Sequence, residues 1–556
     1  MQFSSPHFLS LSAQFAALSN GHAQQKQQQQ QPIETVLAQL ALRLRESVAK
    51  QRKNDGTDNE KRGNGQTEEE EEEKEEGWDG VEEGMEGMLW RRIRTLAEFG
   101  LATDARLVPW MFDLAKRLLD RSPGPKVIRK ITDRLRWVAL RLSLRFLPPI
   151  CSPRIHRIPP MAEKCPISAS PTVFHCEAQV TARMDIAGGW TDTPPITYQS
   201  AIPSAVLNVS IKVNGKRPIG CRCARLREFS GIFYTQTSHG LTEDTLHFPS
   251  ADSVFACFSH PSMIGSLLSS ILIVAGIVRE ELVGGERIRR FSMAAPGRGL
   301  HISTNSDLPH GSGLGTSSIL SAAVLAALWR LFGRPFCQSE LVHAVLRVEQ
   351  LHTTGGGWQD QIGGCLPGGF KLGTVCPGGE RQCQWRTVPV GSELRNEMAN
   401  RLAMIYTGQT RLAKHLLEEV LLSWLGRDQR ILGAVQRLAD GARRAEKELR
   451  EGKFPSEMCR QYNGLKKEFT AETEPRIVAE LNAELTASGL AEVAWIAGAG
   501  GGGFLYVWLG KGQTLEELEK FLASDERWKG MNVWRVEMEE KEPMRITEGA
   551  ERNYDK

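Results

Sequence analysis

A glycine- and hydroxyl-rich loop runs directly into an apolar segment, residues 319–332, that is predicted to form a helix. The loop consists of Pro309, His310, Gly311, Ser312, Gly313, Leu314, Gly315, Thr316, Ser317 and Ser318. Closely spaced glycines let the backbone bend tightly and approach a ligand. The first N–H groups of a helix lack partners and lie at the positive end of its dipole, which favours anions. Phosphate is the expected anion, although an ordinary capped turn also explains such a loop taken alone.

A carboxylate follows on the next predicted helix. Apolar residues recur with helical spacing from Glu340 to Leu351, and Ser339 is the predicted N-cap. Glu349 falls on the buried edge of that apolar stripe. An unpaired buried carboxylate costs several kcal/mol. Glu349 therefore needs a cation, either a basic side chain or a metal.

A second glycine-dense segment, residues 353–364, contains a single acid, Asp360. Flexible backbone around one carboxylate suits a group that must meet a substrate hydroxyl. An Asp that caps a turn would have the same neighbours, and the residues alone leave both interpretations open.

A turn with polar groups follows the first predicted strand, Cys176–Met184. Residues 183–195 contain paired glycines, Trp190, Asp192 and two prolines, which together predict a rigid turn that presents polar side chains.

A third glycine cluster, residues 498–503, lies between two predicted strands, Val493–Ile496 and Phe504–Leu509. Five glycines in six positions indicate close backbone packing. The cluster either lines the phosphates of a ligand or forms a tight turn between strands.

Composition excludes several classes of protein. The 556 residues include 69 basic and 66 acidic side chains, a net charge of +3, which argues against a nucleic-acid partner bound through bulk charge. The 11 cysteines show no zinc-like pairing of CxxC groups, so a reduced cytoplasmic protein is the simplest expectation. No apolar run reaches about 18 residues, and no membrane span is predicted.

The first third of the chain differs in character from the rest. Residues 1–83 carry a glutamine run and an acidic run and are predicted to be disordered. Residues 84–147 show helical spacing and are predicted to form a small helical module, which a proline-rich linker, 148–171, follows. The helical module contains no catalytic constellation, and a docking or structural role is expected for it.

Strands and helices mix from Val173 onward. Strands are predicted at Cys176–Met184, Val206–Val213, Phe291–Ser303, Leu402–Tyr406, Val493–Ile496 and Phe504–Leu509. Helices are predicted at 262–278, 319–332, 340–351, 410–425, 431–449 and 475–488. The pattern indicates an α+β fold in which the phosphate-type loop lies between a strand and a helix.

Four motifs in this order resemble the GHMP kinase superfamily, and within it the fucokinases. They are Gly-Gly-Trp-Thr-Asp-Thr-Pro-Pro at 188–195, His-Gly-Ser-Gly-Leu-Gly-Thr-Ser-Ser at 310–318, Thr-Thr-Gly-Gly-Gly-Trp-Gln-Asp-Gln at 353–361 and Gly-Ala-Gly-Gly-Gly-Gly-Phe-Leu-Tyr at 498–506. Bacterial heptose-phosphate kinases share part of this style. The resemblance spans roughly Val173 to Val536 and implies a two-lobed α+β kinase, with an N-terminal domain at 172–385 and a C-terminal domain at 386–545.

The resemblance implies transfer of a phosphoryl group from ATP to the anomeric hydroxyl of L-fucose. The loop 309–318, together with Gly500 and Gly501, would contact the ATP phosphates. Ser317 and Glu349 match the family's ligands for Mg²⁺. Asp360, 11 residues after Glu349, matches its catalytic carboxylate, and Arg183 its cation near the transferred phosphoryl group.

The sugar would lie at the turn after the first strand. Asp192 matches a carboxylate that binds sugar hydroxyls in galactokinase-like members, Gly189 lies beside it, and Trp190 and Trp358 could flank the sugar. A place in the core is an equal alternative for each tryptophan. Two other functions stay open: a GHMP kinase for a heptose phosphate or arabinose, and a non-catalytic sugar sensor on the same fold.

Overall fold

The structure, a computed structural model, describes residues 173–549 apart from 195, 227–229, 239–240, 259–262, 284–285, 292–298, 353, 377–381, 410–415, 417–419, 421–422 and 425–427. The elements given below all lie in one compact unit, which falls within residues 146–421 and 429–556. The predicted disordered segment, helical module and linker lie outside the described residues, as does most of the predicted helix 410–425.

Strands and helices alternate along the described chain. The strands are β1 (His175–Val180), β2 (Ala182–Ala187), β3 (Val206–Val213), β4 (Ile219–Leu226), β5 (Ile232–Ser238), β6 (Leu241–Phe248), β7 (Val278–Val283), β8 (Glu286–Phe291), β9 (Gly299–Ser306), β10 (Phe370–Thr374), β11 (Gln384–Thr387), β12 (Leu402–Tyr406), β13 (Ala491–Ile496), β14 (Phe504–Leu509), β15 (Asn532–Met538) and β16 (Met544–Gly549). The α-helices are α1 (Ile196–Gln199), α2 (Ala251–Phe258), α3 (Ser266–Ala275), α4 (Thr316–Leu331), α5 (Gln338–Leu351), α6 (Gln359–Cys365), α7 (Ser392–Arg401), α8 (Gln429–Arg450), α9 (Ser456–Phe469), α10 (Arg476–Ala487) and α11 (Leu515–Ala523).

The described strands form two large sheets and one hairpin. The six-stranded sheet has the order β16-β1-β4-β9-β5-β6, in which only β5 and β9 run parallel. The eight-stranded sheet has the order β11-β10-β3-β15-β12-β14-β13, with β2 paired to β3, and β7–β8 form the hairpin. The predicted α+β fold is confirmed. The eight-stranded sheet takes strands from both sides of residue 385, and the domain boundaries stay predictions.

The first predicted strand is two strands. The chain passes from β1 in the six-stranded sheet to β2 beside β3 in the eight-stranded sheet, and Thr181 is the residue between them. The Thr181 hydroxyl donates to the carbonyl of Gly364 at 2.7 Å, which fixes the crossing. Because β2 is buried along its whole length, its polar side chains Arg183 and Asp185 must find partners inside the fold.

Several predicted boundaries differ from the structure. The predicted N-cap Ser339 is wrong: α5 begins at Gln338, and the thiol of Cys337 accepts the Glu340 N–H at 3.4 Å. The predicted strand 291–303 corresponds to the end of β8 and most of β9, and the predicted helix 262–278 shortens to α3. Gly276 ends α3 with positive φ, and the chain turns there into β7.

The helices that carry the site pack between the sheets. Helix α4 is apolar on almost every side and packs against β1 and β4, whereas α6 packs against β2 and β3. In the part of the chain that the structure describes, no helix combines the length and apolarity that crossing a bilayer requires.

Candidate active site

The loop 309–318, here called the phosphate loop, connects β9 to the first turn of α4. Gly315 is the N-cap of α4 with φ of +78°, and no side chain caps the helix from that position. The Ser312 hydroxyl accepts the Leu314 N–H at 3.3 Å and lies 3.1 Å from the Thr316 hydroxyl, so the loop holds its own shape. His310, Gly311 and Ser317 are exposed, whereas Pro309, Gly313, Gly315 and Thr316 are half-buried and Ser312, Leu314 and Ser318 are buried.

The structure brings Asp360 directly to this loop. Asp360 lies in the first turn of α6, and a Cβ added to Gly315 would come within 2.7 Å of its carboxyl carbon. Only glycine therefore permits this approach, because a side chain at position 315 would displace the carboxylate. Asp360 remains 16% exposed and can be reached from solvent.

Arg183 connects Asp360 to the phosphate loop. Its Nε donates to Oδ1 of Asp360 at 2.7 Å, and its Nη1 donates to the Gly313 carbonyl at 3.0 Å. Burial alone would lower the pKa of Arg183, but Asp360 and Asp185 outweigh it and hold that pKa well above its ordinary value. A permanent cation thus lies between the proposed catalytic carboxylate and the loop.

A buried polar cluster that the sequence did not reveal holds Arg183 in place. Oδ1 of Asp185 accepts from Arg183 at 2.6 Å and from the Gly498 N–H at 3.0 Å. Oδ2 accepts from Tyr462 at 2.7 Å and from Lys466 at 3.1 Å. Burial opposes ionisation, yet Lys466 and Arg183 hold the pKa of Asp185 below its ordinary value.

Asp185 and Lys466 are both fully buried, and they link β2 to α9. Lys466 also donates to the Ile496 carbonyl at 2.7 Å, at the end of β13. The cluster therefore ties the strand that carries Arg183 to the helix and strand on its other side. Paired and hydrogen-bonded, the buried charges are tolerated.

Glu349 lies near the end of α5, and its carboxylate is buried against the first turn of α4. Its Oε1 accepts from the Ser318 hydroxyl at 2.7 Å, and its Oε2 accepts from the Thr354 hydroxyl. Burial raises the pKa of Glu349 and the nearby Asp360 raises it further, although both hydroxyl bonds act in the opposite direction. No basic side chain pairs with Glu349 among the ion pairs of the described residues, which leaves the metal interpretation open.

Ser317 does not share the Glu349 contact. The exposed residue Ser317 lies in the first turn of α4, one position before Ser318, and its carbonyl accepts from Ser321 at 2.8 Å. The hydroxyl that meets Glu349 is thus that of Ser318. The metal role of Ser317 stays a prediction.

The cluster 498–503, here called the C-terminal glycine loop, packs on the phosphate loop. The Phe504 N–H donates to the Ser312 carbonyl at 3.2 Å, and a Cβ on Gly498 would come within 2.6 Å of the Gly313 carbonyl. The N–H groups of Gly500 and Gly501 donate to the carbonyls of Ala497 and Thr473 at 3.1 and 2.7 Å. Because these two donors already have partners, the structure favours the turn interpretation over phosphate contact through them.

Asp192 lies beside α6 with no exposed surface. Its Oδ2 accepts the Gln359 N–H at 3.1 Å, and no described residue bonds to its Oδ1. Burial, and then the nearby Asp360, raise the pKa of Asp192 to about 7. Gly189 faces the Tyr462 hydroxyl and the Gln359 side chain, so the predicted sugar turn and α6 meet.

The two tryptophans are more buried than a sugar-stacking role requires. Trp358 has no exposed surface, and its Nε1 donates to the Thr197 hydroxyl at 3.1 Å. Trp190 is 4% exposed and stacks on Phe469 with ring centroids 5.6 Å apart. The structure therefore favours the core alternative for Trp358. Phe469 covers one face of the Trp190 ring.

Lys371 is a further buried basic side chain that sequence reasoning missed. Its Nζ donates to the Ser210 hydroxyl at 2.6 Å and to the carbonyls of Leu366 and Gly369 at 2.7 and 2.9 Å. Burial lowers the pKa of Lys371 to about 7. Leu366 is the C-cap of α6, so this lysine stabilises the end of the helix whose first turn carries Asp360.

The match to a known family concerns the segment that contains most of this site. Residues 281–369 match the family model described as GHMP kinases N terminal domain, which includes the phosphate loop, Glu349 and Asp360. Arg183, Asp192 and the C-terminal glycine loop lie outside that match.

Two relatives of this chain have names that are more specific than the description of the family model. The chain is 32% identical over 357 residues to a bifunctional fucokinase/GDP-fucose pyrophosphorylase of Arabidopsis thaliana, covering 62% of this chain and 31% of that protein. It is 29% identical to an L-fucokinase/L-fucose-1-P guanylyltransferase of Bacteroides fragilis, covering 62% and 35%. The chain thus spans about a third of the length of each. The predicted resemblance to fucokinases is confirmed.

Among solved structures, a D-glycero-D-manno-heptose 1-phosphate kinase from Bacteroides thetaiotaomicron is 15% identical with a TM-score of 0.47. The match covers 68% of this chain and all of that one.

Proposed function

We propose that this chain is an ATP-dependent sugar kinase that phosphorylates the anomeric hydroxyl of L-fucose. The observation that carries the proposal is the contact of Asp360 with Arg183 beside Gly315. A carboxylate, a guanidinium and an uncapped helix N-terminus meet there. The two relatives with fucokinase in their names support fucose as the acceptor.

Each side chain has a defined task in this reaction. Asp360 orients the anomeric hydroxyl and accepts its proton as the oxygen bonds to the γ-phosphorus and ADP leaves. Arg183 stabilises the negative charge on the transferred phosphoryl group, because its guanidinium is ionised and already oriented by Asp185. The phosphate loop binds the ATP phosphates at the first turn of α4.

The donor set near the loop fits Mg²⁺. In the described residues no three His, Cys, Asp or Glu side chains cluster as a metal site, so phosphate oxygens and waters would supply most ligands. Mg²⁺ is commonly bound in this way, through one or two carboxylates and substrate phosphates. Glu349, with the Ser317 hydroxyl, would hold it, and the ion would neutralise negative charge on the ATP phosphates.

A coupled assay of ADP release with ATP and a panel of sugars tests the proposal. The panel contains L-fucose, arabinose, galactose, and free and phosphorylated heptoses. L-Fucose should give the highest kcat/KM, and Asp360→Asn should reduce the signal at least roughly 100-fold. Turnover of sugar phosphates alone would instead identify a sugar-phosphate kinase, and nucleotide binding without turnover of any sugar would identify a sensor.

A further inference from the structure

Three buried polar atoms near the proposed sugar site have no hydrogen-bond partner among the described residues. They are Oδ1 of Asp192, Oε1 of Gln359 and Nε1 of Trp190. An unsatisfied buried donor or acceptor costs about 1–3 kcal/mol. Native proteins contain few such atoms, and a bound ligand that supplies the missing hydrogen bonds is one explanation for them.

The side chains of Asp192 and Gln359 belong to one small region. The Gln359 N–H donates to the other carboxylate oxygen of Asp192 at 3.1 Å. A Cβ added to Gly189 would lie 3.4 Å from Oε1 of Gln359, so this amide oxygen faces the turn that carries Trp190. Two acceptors with free lone pairs therefore flank the same turn.

Trp190 adds a donor and an indication of backbone strain. Its φ is +77°, which is uncommon for a bulky residue. Strained residues of this kind concentrate at ligand sites. One face of the Trp190 ring stacks on Phe469, but its Nε1 has no hydrogen-bond partner among the described residues.

We propose that Gln359 is a sugar-binding residue which, with Asp192 and the Trp190 indole N–H, forms a hydroxyl-binding subsite. The proposal rests on the proposed sugar kinase function and specifies its acceptor further. A sugar hydroxyl can both donate and accept, so it can donate to Asp192 or Gln359 and accept from the indole N–H of Trp190. The sugar portion bound here is uncharged, because a phosphate group would meet two acceptors without offering them a proton.

Removing the acceptor atom tests the role of Gln359. Gln359→Met keeps the length of the side chain but not its amide oxygen. Binding of L-fucose and of its analogues that each lack one hydroxyl is measured by calorimetry on the full chain without ATP. The substitution should weaken fucose binding roughly 10-fold, as expected for one lost hydrogen bond. The analogue that lacks the contacted hydroxyl should bind wild type and variant equally.

Two further variants separate contact from packing. Gln359→Glu retains an acceptor at the same place and should keep the wild-type order of preference among the analogues. Gln361→Met makes the same change two residues away on α6, where Nε2 donates to the Val342 carbonyl at 3.3 Å and Oε1 also lacks a partner among the described residues. It should lower the melting temperature and leave that order unchanged.

The outcomes distinguish the two proposals. If the chain phosphorylates L-fucose but Gln359→Met keeps the wild-type order of analogue affinities, Gln359 makes no sugar contact and the subsite is wrong. If wild-type protein neither binds nor phosphorylates any free sugar, the proposed function fails and the subsite fails with it.

Discussion

Oδ1 of Asp360 lies 2.7 Å from Nε of Arg183, whose Nη1 lies 2.6 Å from Oδ1 of Asp185. One guanidinium thus serves two carboxylates, of which Asp185 is buried and Asp360 is partly exposed. The exposed partner is the one that a substrate can reach. Asp185 is the structural partner of Arg183, and Asp360 is the carboxylate that we propose acts on the substrate.

Asp360→Asn should reduce kcat by roughly 10²–10⁴, the usual contribution of a positioned base, because the amide cannot accept the hydroxyl proton. ATP affinity should change little, since the phosphates bind mainly to backbone N–H groups. Turnover and nucleotide binding are measured on the same preparation. Asp440→Asn is the matched control, because Asp440 is 52% exposed on α8. Full activity of Asp360→Asn would remove the catalytic assignment.

Lys466→Met should lower the free energy of unfolding by about 3 kcal/mol or more, because it leaves Asp185 with one cation instead of two inside the fold. Urea unfolding measures the loss. Lys447→Met removes a lysine whose side chain is 80% exposed, and it should change stability by less than about 0.5 kcal/mol.

Lys466→Met should also reduce kcat more than it raises the KM for sugar. Asp185 holds Arg183, and a guanidinium free to turn stabilises the transition state less well. Restored turnover in Lys466→Arg would support the electrostatic explanation. Equal stability of Lys466→Met and Lys447→Met would show that the buried pair contributes nothing.

The sequence contained a signal for Lys466 that is visible only in hindsight. Cys459, Tyr462, Lys466 and Phe469 are spaced by three or four residues, so Lys466 lies on the apolar stripe of α9, whereas Lys467 falls outside it. What the spacing could not supply was the partner. Asp185 lies 281 residues away, and only the assembled fold brings the two charges together.

Three strands were predictable to the residue. Val206–Val213, Leu402–Tyr406 and Phe504–Leu509 have the predicted bounds because each is buried on both faces. The break at Thr181 was not predictable, since the alternation of apolar residues continues through it. Two sheets share that segment, and the hydrogen bond to Gly364 that fixes the crossing is a tertiary contact.

Adjacent serines should have separable roles in metal use. Ser317→Ala and Glu349→Gln should each raise the Mg²⁺ concentration that gives half-maximal velocity, because each removes an oxygen proposed to bind the ion. Ser318→Ala should raise it roughly 10- to 100-fold, as expected for a residue that orients a metal-binding carboxylate. Ser321→Ala is the control, because the Ser321 hydroxyl donates to the Ser317 carbonyl. An unchanged Mg²⁺ requirement in both Ser317→Ala and Glu349→Gln would contradict their metal roles.

Asp192 should make the ligand-free protein less stable as the pH rises from about 4 to about 7. Its pKa is raised from 3.8 to about 7 by burial and by Asp360, with backbone N–H donors, that of Gln359 first, and then Arg183 acting in the opposite direction. Between these values the folded state holds a proton that the unfolded state has released, so stability falls with increasing pH. Three pKa units correspond to roughly 4 kcal/mol at most. Asp192→Asn should remove this slope in urea unfolding measured from pH 4 to pH 8.

A sugar that donates hydroxyls to Asp192 should reverse part of that loss. Hydroxyl donors favour the ionised carboxylate, so saturating L-fucose should flatten the stability profile of the wild type near pH 7. It should leave the profile of Asp192→Asn unchanged in shape. Galactose 1-phosphate at the same concentration serves as the comparison ligand. If both proteins lose stability in parallel from pH 4 to pH 7, Asp192 is ionised throughout and its missing partner is not a sugar hydroxyl.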